Sequence, residues 1–553
     1  MQSSAPLSPS RGRGEPRSFN FFTGNSSQKK RSRLVVSLLC ALTCSSSLYF
    51  ALPFQKSSSE AQLHAEKGVQ AARAGNAATA ELELREAVKL VPNDPFFLAT
   101  LASILGMQQK LPEASSYFEK AVRIDPENAQ VRRDLAATQW QLGRFLDARK
   151  NLEYILRRDP SNKPTLLLAG IVAENLKDYL AAVQWLSNVP ELVDQRPEAQ
   201  LALGRSYYKL GQKEGARKVL IKISSKASDA KFVFWAGQEA VSAQDYETAE
   251  ALFLSLQSSN TDKAELGYAI ALVEYRTGRY TEAQKRLGDL TARDLANGDI
   301  YSLLGWCQFR LGQLDAAVGS LQRAVELKPQ KEGHHLDLGM MLASRHQKLT
   351  AALQVAKVAV QQFPNSYQSY QLKAMVETRL AHYQDAVQSY LRAHTFNPSA
   401  ADVNVGLAVA QWGAGLKDEA LATFEHGLQQ FPKDPEHLQE FARVLLKMSE
   451  QGDGAAEVRA VSLLNKAMSL DESQPETFYQ LGSLALTKGN ALQAVELLKR
   501  AAELDPTGSK VHFALSRAFR RLGRREDAEK EFQLYEKLKE EQGDLSDERS
   551  KRE

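Results

Sequence analysis

The side chains of this 553-residue chain that could bind a metal or act as nucleophiles are few and scattered. There are nine histidines and three cysteines, and only His334 and His335 are adjacent. Neighbouring residues on a helix point about 100° apart, so this pair is poorly placed to share a metal, and we expect solvated or helix-capping histidines. Cys40, Cys44 and Cys307 form no disulfide framework, and Cys307 is expected to be a small core residue. The sequence therefore predicts no metal site.

Sequence motifs of the common catalytic sites are missing. The chain has no phosphate-binding Gly-rich loop, no Gly-x-Ser-x-Gly and no His-Glu-x-x-His. Acidic residues such as Glu536, Glu540 and Glu541 lie close together, but this grouping is typical of a solvated helix face. We therefore expect no enzyme activity and no cofactor.

Basic residues recur along the chain at spacings close to 34 residues or its multiples. The row consists of Arg73, Lys209, Arg276, Arg310, Arg345, Arg379, Lys447, Lys488 and Arg521. One interpretation is a ladder of cations that binds an acidic or extended peptide. The other is that each cation stands at the C-terminus of a helix, where it contributes about 0.3–1 kcal/mol of stability. The helix-end interpretation is favoured.

The same spacing runs through the sequence as a 34-residue pattern with fourteen copies between Ala61 and Gln542. In each copy, apolar residues at i, i+3, i+4 and i+7 predict two helices joined by a short break. An alanine stands at the twentieth position of every copy. The signature residues of the two clearest copies are Gly305, Ala317, Ala324 and Pro329, and Gly482, Ala494, Ala501 and Pro506. The small residues among them are expected to let the two helices approach closely.

This pattern resembles the tetratricopeptide repeat. The resemblance covers residues 61–542 and implies an all-α fold, an α-solenoid that forms a right-handed superhelix of about fourteen helix-turn-helix repeats. Residues 449–457 form an insertion, which is predicted to be a polar loop. The resemblance also implies that the first helices line a concave groove. No copy has Asn after its eighth position, so a receptor for chaperone C-termini is not expected.

The candidate groove residues combine members of the basic row with aromatic residues just before them. They are Arg276, Arg310, Arg345 and Arg379, with Tyr275 and Phe309. Core packing of the two rings is an alternative to a position in the groove. The resemblance implies a protein or peptide partner. No repeat presents a reproducible set of base-reading residues, so nucleic acid is not an expected partner.

The N-terminal leader differs from the repeats in composition. Residues 1–33 contain seven basic residues and one acidic residue, and this segment is predicted to be disordered. Because the whole chain carries a net charge of +4, the repeats are close to neutral. Residues 34–54 are apolar and long enough to cross a bilayer as a transmembrane helix, and 55–60 form a linker. A charged tail at 543–553 is also predicted to be disordered.

Two interpretations of residues 34–54 remain open. As an uncleaved anchor preceded by positive charge, the segment gives a cytoplasmic N-terminus and places the solenoid on the far, extracytoplasmic side of the membrane. As the apolar core of a signal peptide cleaved near Ser45–Ser47, it gives a secreted or periplasmic protein. The anchor is favoured, because the segment before the apolar stretch is long and apolar sequence resumes after Ser47.

These features predict a membrane-tethered scaffold without enzyme activity. A preformed concave groove would bind proteins or peptides at little ordering cost. The alternative is an accessory or assembly subunit of an envelope polysaccharide or secretion machinery, or a periplasmic repeat protein after signal cleavage.

Overall fold

The computed structural model describes residues 59–550, apart from 225–229, 259–261 and 451. Over these residues every regular element is a helix and no strand forms, so the predicted all-α class is confirmed. The chain divides into two compact units, the first ending at Gln313 and the second beginning at Leu314.

The first unit alternates between the first and the second helix of successive repeats, with one short extra helix, α9. The bounds are α1 Ser59–Arg73, α2 Ala77–Leu90, α3 Pro95–Met107, α4 Leu111–Ile124, α5 Ala129–Gln141, α6 Phe145–Arg158, α7 Lys163–Asn175, α8 Tyr179–Ser187, α9 Pro190–Val193, α10 Pro197–Lys209, α11 Lys213–Ser224, α12 Ala230–Ser242, α13 Tyr246–Ser255, α14 Lys263–Arg276, α15 Tyr280–Ala292 and α16 Gly298–Arg310. Within this unit, each second helix packs on its own first helix and on the first helix that follows.

The second unit begins with the second helix of the eighth repeat and continues with the same alternation. The bounds are α17 Leu314–Leu327, α18 Glu332–Ala343, α19 Leu349–Gln362, α20 Tyr367–Arg379, α21 Tyr383–Phe396, α22 Ala401–Gly413, α23 Lys417–Gln430, α24 Pro435–Ser449, α25 Gly454–Leu470, α26 Pro475–Thr487, α27 Ala491–Leu504, α28 Ser509–Arg521 and α29 Arg525–Ser550. A short 3₁₀ turn, His346–Lys348, precedes α19.

First helices of neighbouring repeats also pack directly on one another within each unit. The row runs through α3, α5, α7, α10, α12, α14 and α16 in the first unit, and through α18, α20, α22, α24, α26 and α28 in the second. We call each row the first-helix layer of its unit. Side chains on these helices therefore come from different repeats but share one surface.

A residue in the left-handed conformation ends the first helix of most repeats. At the fifteenth position of twelve repeats, φ lies between 55° and 85°. Glycine fills eight of these positions, and the other four hold Gln109, Lys177, Gln244 and Ala381. Glycine adopts this conformation without steric cost, which explains why it is the common choice at the helix end.

Small residues at two positions bring the helices of a repeat together. The alanine at the twentieth position is at most 2% exposed in every repeat. At the eighth position, a Cβ added to Gly170 would lie 2.4 Å from Leu186, and one added to Gly237 would lie 2.4 Å from Phe253. Leu186 and Phe253 hold the twenty-fourth position of their repeats and fill the space that the glycine leaves.

Several predicted segments lie outside the described residues. These are the segment 1–33 and the predicted transmembrane span 34–54. Of the linker 55–60, only the last two residues are described, and they open α1. Within the described part of the chain, no helix is both long enough and apolar enough to cross a bilayer.

Two segment boundaries differ from the sequence analysis. α24 continues to Ser449 and α25 starts at Gly454, so only 450–453 join the two helices and the rest of the insertion 449–457 is helical. α29 continues to Ser550, past the start of the tail expected from 543. Ala455, Ala456 and Glu457 are strong helix formers, which explains why α25 begins before the end of the predicted insertion.

Candidate partner-binding surface

In the first unit, the candidate residues Tyr275 and Arg310 lie together at the ends of α14 and α16. The Arg310 Nε lies 3.5 Å from the Tyr275 hydroxyl. Its guanidinium is 5.9 Å from the centre of the Tyr280 ring, which itself meets Tyr275 edge-on at 5.3 Å. Tyr275 is 5% exposed, and burial raises the pKa of its phenol. Arg310 is exposed and Tyr280 is half-buried, so the cluster presents one cation over the Tyr280 ring beside the buried Tyr275.

The other two candidates of the first unit are less exposed than Arg310. Arg276 is half-buried at the last residue of α14. Phe309 is also half-buried, and its ring meets that of the buried Trp306 edge-on at 5.8 Å. Both interpretations of Phe309 therefore apply in part, because one side of the ring packs and the other stays open.

In the second unit, several arginines of the basic row contact other residues of the chain. Arg345 lies 3.5 Å from Asp315. Arg379 donates from Nη1 to the carbonyl of Ala343, and Arg521 donates in the same way to the carbonyl of Leu486. Both carbonyls lie in the last turn of the preceding first helix, where unpaired carbonyl groups favour a cation. These contacts support the helix-end interpretation for Arg379 and Arg521.

A chain of polar side chains, which the sequence analysis did not identify, crosses four consecutive first helices. Trp140 Nε1 donates to Asn175 at 2.8 Å, and Asn175 Nδ2 donates to Glu174 at 2.8 Å. Arg205 then donates from Nη1 to Glu174 at 2.6 Å and from Nη2 to Glu239 at 3.0 Å. We call these five residues the Arg205 network. It links α5, α7, α10 and α12 within the first-helix layer.

The charges of the Arg205 network are largely removed from solvent. The side chains of Glu174, Glu239 and Arg205 are 8%, 17% and 31% exposed. Burial opposes the charge on Arg205, but the carboxylates of Glu239 and Glu174 outweigh it and raise the pKa of the guanidinium. Loss of one partner would strand a partly buried charge and would destabilise the packing of these helices. The sequence feature that could have indicated this network is Arg205, a charged residue directly after the eighth position of its repeat.

The structure corrects one expectation for the histidine pair. His334 and His335 are not solvated, because they are 0% and 2% exposed. His334 Nδ1 lies 3.0 Å from the carbonyl of Ala324, and His335 Nε2 lies 2.9 Å from that of Pro329. Each imidazole thus satisfies a carbonyl at or just beyond the end of α17, which is a capping role.

Residues capable of chemistry do not assemble into a reactive centre in the described part of the chain. Cys307 is buried, and burial raises the pKa of its thiol to about 12. Such a thiol carries almost no thiolate near neutral pH and is a poor nucleophile. Among the described residues, no group of three His, Cys, Asp or Glu side chains could hold a metal ion.

Comparison with known families decides the nature of the repeats. Profiles described as tetratricopeptide repeat match residues 107–164, 198–230, 268–332 and 372–435. The repeats in these segments are tetratricopeptide repeats. A further profile, described as bacterial transcriptional activator domain, matches residues 451–549. The tetratricopeptide repeat profiles confirm the resemblance found in the sequence.

Individual relatives are similar to this chain at low identity. Cellulose synthase operon protein C of Pseudomonas fluorescens is 22% identical over 79% of this chain and 36% of its own length. The protein of the same name from Escherichia coli is 23% identical over 41% of this chain and 20% of its own length. The chain thus spans well under two thirds of these relatives. The crystal structure of yeast Tom70 is similar at a TM-score of 0.39 and 16% identity, covering 86% of this chain and 92% of that one.

Proposed function

We propose that this chain is a non-enzymatic scaffold that binds protein or peptide partners on its first-helix layers. The observation that carries the proposal is the direct packing of successive first helices within each unit. It places side chains from different repeats on one rigid surface before any partner arrives. A preformed surface binds an extended segment or a helix with little loss of conformational entropy in the scaffold.

Arg310 is the most accessible of the candidate contact residues. It is exposed, its guanidinium lies over the ring of Tyr280, and it lies on the first-helix layer of the first unit. A cation over an aromatic ring can pair with a partner carboxylate while the ring contacts the partner's apolar groups. Arg345 and Arg379 are engaged within the chain and are weaker candidates.

The test is quantitative capture of partners from membranes with the full chain and two charge-reversal variants. Arg310→Glu changes the candidate surface, and Arg293→Glu changes an equally exposed arginine at the end of the second helix α15. We expect Arg310→Glu to reduce partner recovery at least about tenfold, because the reversed charge would repel the partner carboxylate that Arg310 would pair with. Recovery with Arg293→Glu should match the unmodified chain. Equal recovery with both variants would remove Arg310 from the binding surface.

A second candidate function is an accessory role in an envelope polysaccharide machinery. The similarity to cellulose synthase operon protein C of Pseudomonas fluorescens, which extends over 79% of this chain, favours it. In this proposal the scaffold positions an enzyme encoded elsewhere. Deletion of the gene should lower extracellular polysaccharide without changing the amount of the synthase. Unchanged polysaccharide in the deletion strain would count against this candidate.

We further propose that residues 34–54 tether the scaffold to the membrane, with the repeats on the extracytoplasmic side. The support is the apolar length of this segment and the basic run that precedes it. Mass spectrometry of the mature N-terminus after membrane fractionation separates an anchor from a cleaved signal. Retention of Met1 or of residues 34–54 in the membrane fraction supports the tether, and a mature N-terminus after Ser45–Ser47 contradicts it.

A further inference from the structure

In the second unit, apolar side chains in the middle of three first helices are partly open to solvent. Each is the ninth residue of its helix and is half-buried, and they are Met340 on α18, Met375 on α20 and Val409 on α22. In the first unit, the apolar ninth residues of α5, α7 and α16 are at most 7% exposed, and they are Ala137, Ile171 and Trp306. We call Met340, Met375 and Val409 the apolar strip. It crosses the first-helix layer of the second unit, because α18, α20 and α22 are neighbours there.

Charged residues of opposite sign border the apolar strip on its two sides. Asp402 and Glu436 are the second residues of α22 and α24 and form the acidic border. Arg379 and Lys447 are the thirteenth residues of α20 and α24 and form the basic border. The second, ninth and thirteenth residues of a helix lie on one face, so both borders share a surface with the strip. Glu436 and Lys447 are eleven residues apart, which corresponds to about 16 Å along the axis of α24.

The charges of the two borders are incompletely matched within the chain. Lys447 is exposed and forms no ion pair with the described residues. Arg379 donates from Nη1 to the carbonyl of Ala343 and has further N–H donors. Burial lowers the pKa of both cations, so a carboxylate from a partner would stabilise each of them. Asp402 accepts from Gln371 Nε2 at 2.6 Å and can accept further hydrogen bonds.

Charged residues within the first helices that could change the sign of a border are paired. Arg443 lies between the borders on α24, and its guanidinium is 2.6 Å from Glu440. Glu377 lies in the last turn of α20, but it is 3% exposed and accepts from Ser389 on α21 at 2.7 Å. It also lies 3.2 Å from Lys373. These pairs leave the acidic and the basic border with opposite charge.

The remaining charges of opposite sign lie outside the helical residues of this face or on other helices. The exposed Lys433 and Glu450 flank α24, one before its N-cap and one at its C-cap. Lys331 and Glu332 are adjacent at the start of α18 and offset one another. The first turns of α21 and α23 contain acidic residues, but these helices are second helices; the residues are Asp385, Asp418 and Glu419. On α20, α22 and α24 the surface is therefore acidic at the helix starts and basic at the helix ends.

The distance between the borders fits a helix better than an extended segment. An α-helix with its side chains is about 10–12 Å across, so a helix lying along the strip would bring its two flanks close to both borders. A single extended segment occupies only about 5 Å in width and would reach one border at a time. The flexible side chains of Met340 and Met375 can adapt to the apolar groups of such a helix.

We propose that the apolar strip binds an amphipathic helix of a partner protein that carries basic residues on one flank and acidic residues on the other. The apolar stripe of this helix would lie on Met340, Met375 and Val409. Its basic flank would face Asp402 and Glu436, and its acidic flank would face the basic border. The proposal rests on the proposed function, because it places the partner on a first-helix layer, and it adds the chemistry of the partner.

The experiment uses the full chain and a fluorescently labelled synthetic helix with leucines at i, i+3, i+4 and i+7, lysines along one flank and glutamates along the other. Fluorescence anisotropy should report binding that weakens at least about tenfold in Lys447→Glu and about tenfold in Met375→Gln, which places an amide in the strip. Lys466→Glu is the matched control, because Lys466 is an exposed lysine on the second helix α25 of the same repeat. Its affinity for the peptide should equal that of the unmodified chain.

Two further peptides test the borders separately. Peptides with the same leucine stripe but with only lysines or only glutamates on both flanks should bind the unmodified chain at least about tenfold more weakly. In Lys447→Glu the lysine peptide should bind more tightly than the peptide with mixed flanks. Equal affinity of the three peptides for the unmodified chain, or equal loss in Lys447→Glu and Lys466→Glu, would overturn the proposal.

The outcome is separable from that of the proposed function and from self-association. Failure of the mixed peptide to bind, with partner capture still reduced by Arg310→Glu, would overturn this proposal alone. Unchanged capture in Arg310→Glu would in turn leave the peptide result untouched, since Arg310 lies in the first unit. Sedimentation of the unmodified chain should give the same mass with and without the mixed peptide, apart from the peptide itself. A dimer that the peptide dissociates would assign the strip to a second copy and would overturn the proposal.

Discussion

At the residue scale, the side chain at the eighth position sets how closely the two helices of a repeat approach. Gly170 faces Leu186 so closely that an added Cβ would lie 2.4 Å from Leu186 Cγ. Gly170→Ala should therefore destabilise the chain by about 1–3 kcal/mol through overpacking. Chemical denaturation of the full chain measures this change.

The matched control for Gly170→Ala is Gly288→Ala. Gly288 also lies inside a helix of the first unit, but a Cβ added there meets nothing within 4 Å. Because alanine costs less backbone entropy than glycine, Gly288→Ala should stabilise the chain by about 0.5–1 kcal/mol. Destabilisation of similar size in both variants would mean that the helices of the fourth repeat are not in close contact at Gly170.

The contributions of two buried histidines of the second unit to the stability of the chain should change with pH in opposite directions. Burial lowers the pKa of His437, whose Nε2 faces the carbonyl of Phe424 at 2.9 Å and whose Nδ1 has no hydrogen-bond partner. The hydrogen bond to Glu531, at 2.7 Å, raises the pKa of His512. His437 therefore costs stability as the pH falls below its unfolded pKa of about 6.5. His512 adds stability at low pH and loses it as the pH rises through its raised pKa.

Melting temperatures at pH 5.5 and pH 8 test this pair, with His437→Gln and His512→Gln as the variants. The loss of stability on acidification should shrink in His437→Gln, which no longer takes up the unfavourable proton. It should grow in His512→Gln, which no longer gains the ion pair with Glu531. Each unit of difference between folded and unfolded pKa corresponds to about 1.4 kcal/mol. A shift in the same direction in both variants would contradict the assignment.

At the element scale, the end of the first helix depends on one left-handed residue. Ala381 holds this position with φ of 59°, and Gly415 holds it in the next repeat with φ of 82°. Ala381→Gly should stabilise the chain by about 0.5–1 kcal/mol, because relief of the Cβ clash exceeds the entropy cost of glycine. Gly415→Ala should destabilise it by about 1 kcal/mol.

Denaturation of the two single variants and of the double variant measures these effects. The two positions lie in separate repeats, so their effects should add within about 0.5 kcal/mol. Destabilisation by Ala381→Gly would show that the backbone at this turn relaxes away from the left-handed region.

Polar side chains at two fixed positions of the repeat form hydrogen bonds between its two helices. The side chain at the eleventh position bonds that at the twenty-third in several repeats. The pairs are Gln139–Asn151 at 2.9 Å, Glu274–Arg286 at 2.7 Å, Glu377–Ser389 at 2.7 Å and Gln411–Thr423 at 2.7 Å. Other repeats carry apolar residues at both positions, such as Ala240 with Leu252. In most repeats the two positions are polar together or apolar together, as burial favours, but the first and the last repeat pair an apolar with an acidic residue, Ala71 with Glu83 and Phe519 with Glu531.

The sequence determines most of the fold because each structural requirement recurs in many repeats. The alanine at the twentieth position and the glycine at the fifteenth identify the helices and their ends without knowledge of the structure. The Arg205 network could not be predicted in this way. Its members hold different positions in different repeats, and their pairing depends on how neighbouring first helices pack. The partners of Arg379 and Arg521, which are backbone carbonyls, leave no mark in the sequence at all.

At the scale of the whole molecule, the two units stabilise the contact between neighbouring repeats in different ways. In the first unit, the twenty-first position forms polar bridges to the sixteenth position of the next repeat. Examples are Glu81–Lys110 at 2.6 Å, Arg149–Asp178 at 2.9 Å and Glu250–Arg279 at 2.8 Å. In the second unit, the twenty-first position holds apolar residues such as Leu353 and Val387, which are 8% and 5% exposed.

We expect partners to bind on the first-helix layer and not on the second helices. Site-specific photo-crosslinking in intact cells distinguishes the two surfaces, with the crosslinker placed at Lys209 at the end of α10 or at Lys218 on α11. Both residues are exposed, and they belong to the same repeat. Discrete partner adducts should form from position 209 and few or none from position 218. Equal adducts from both positions, or adducts from position 218 alone, would show that partners do not bind specifically on the first-helix layer.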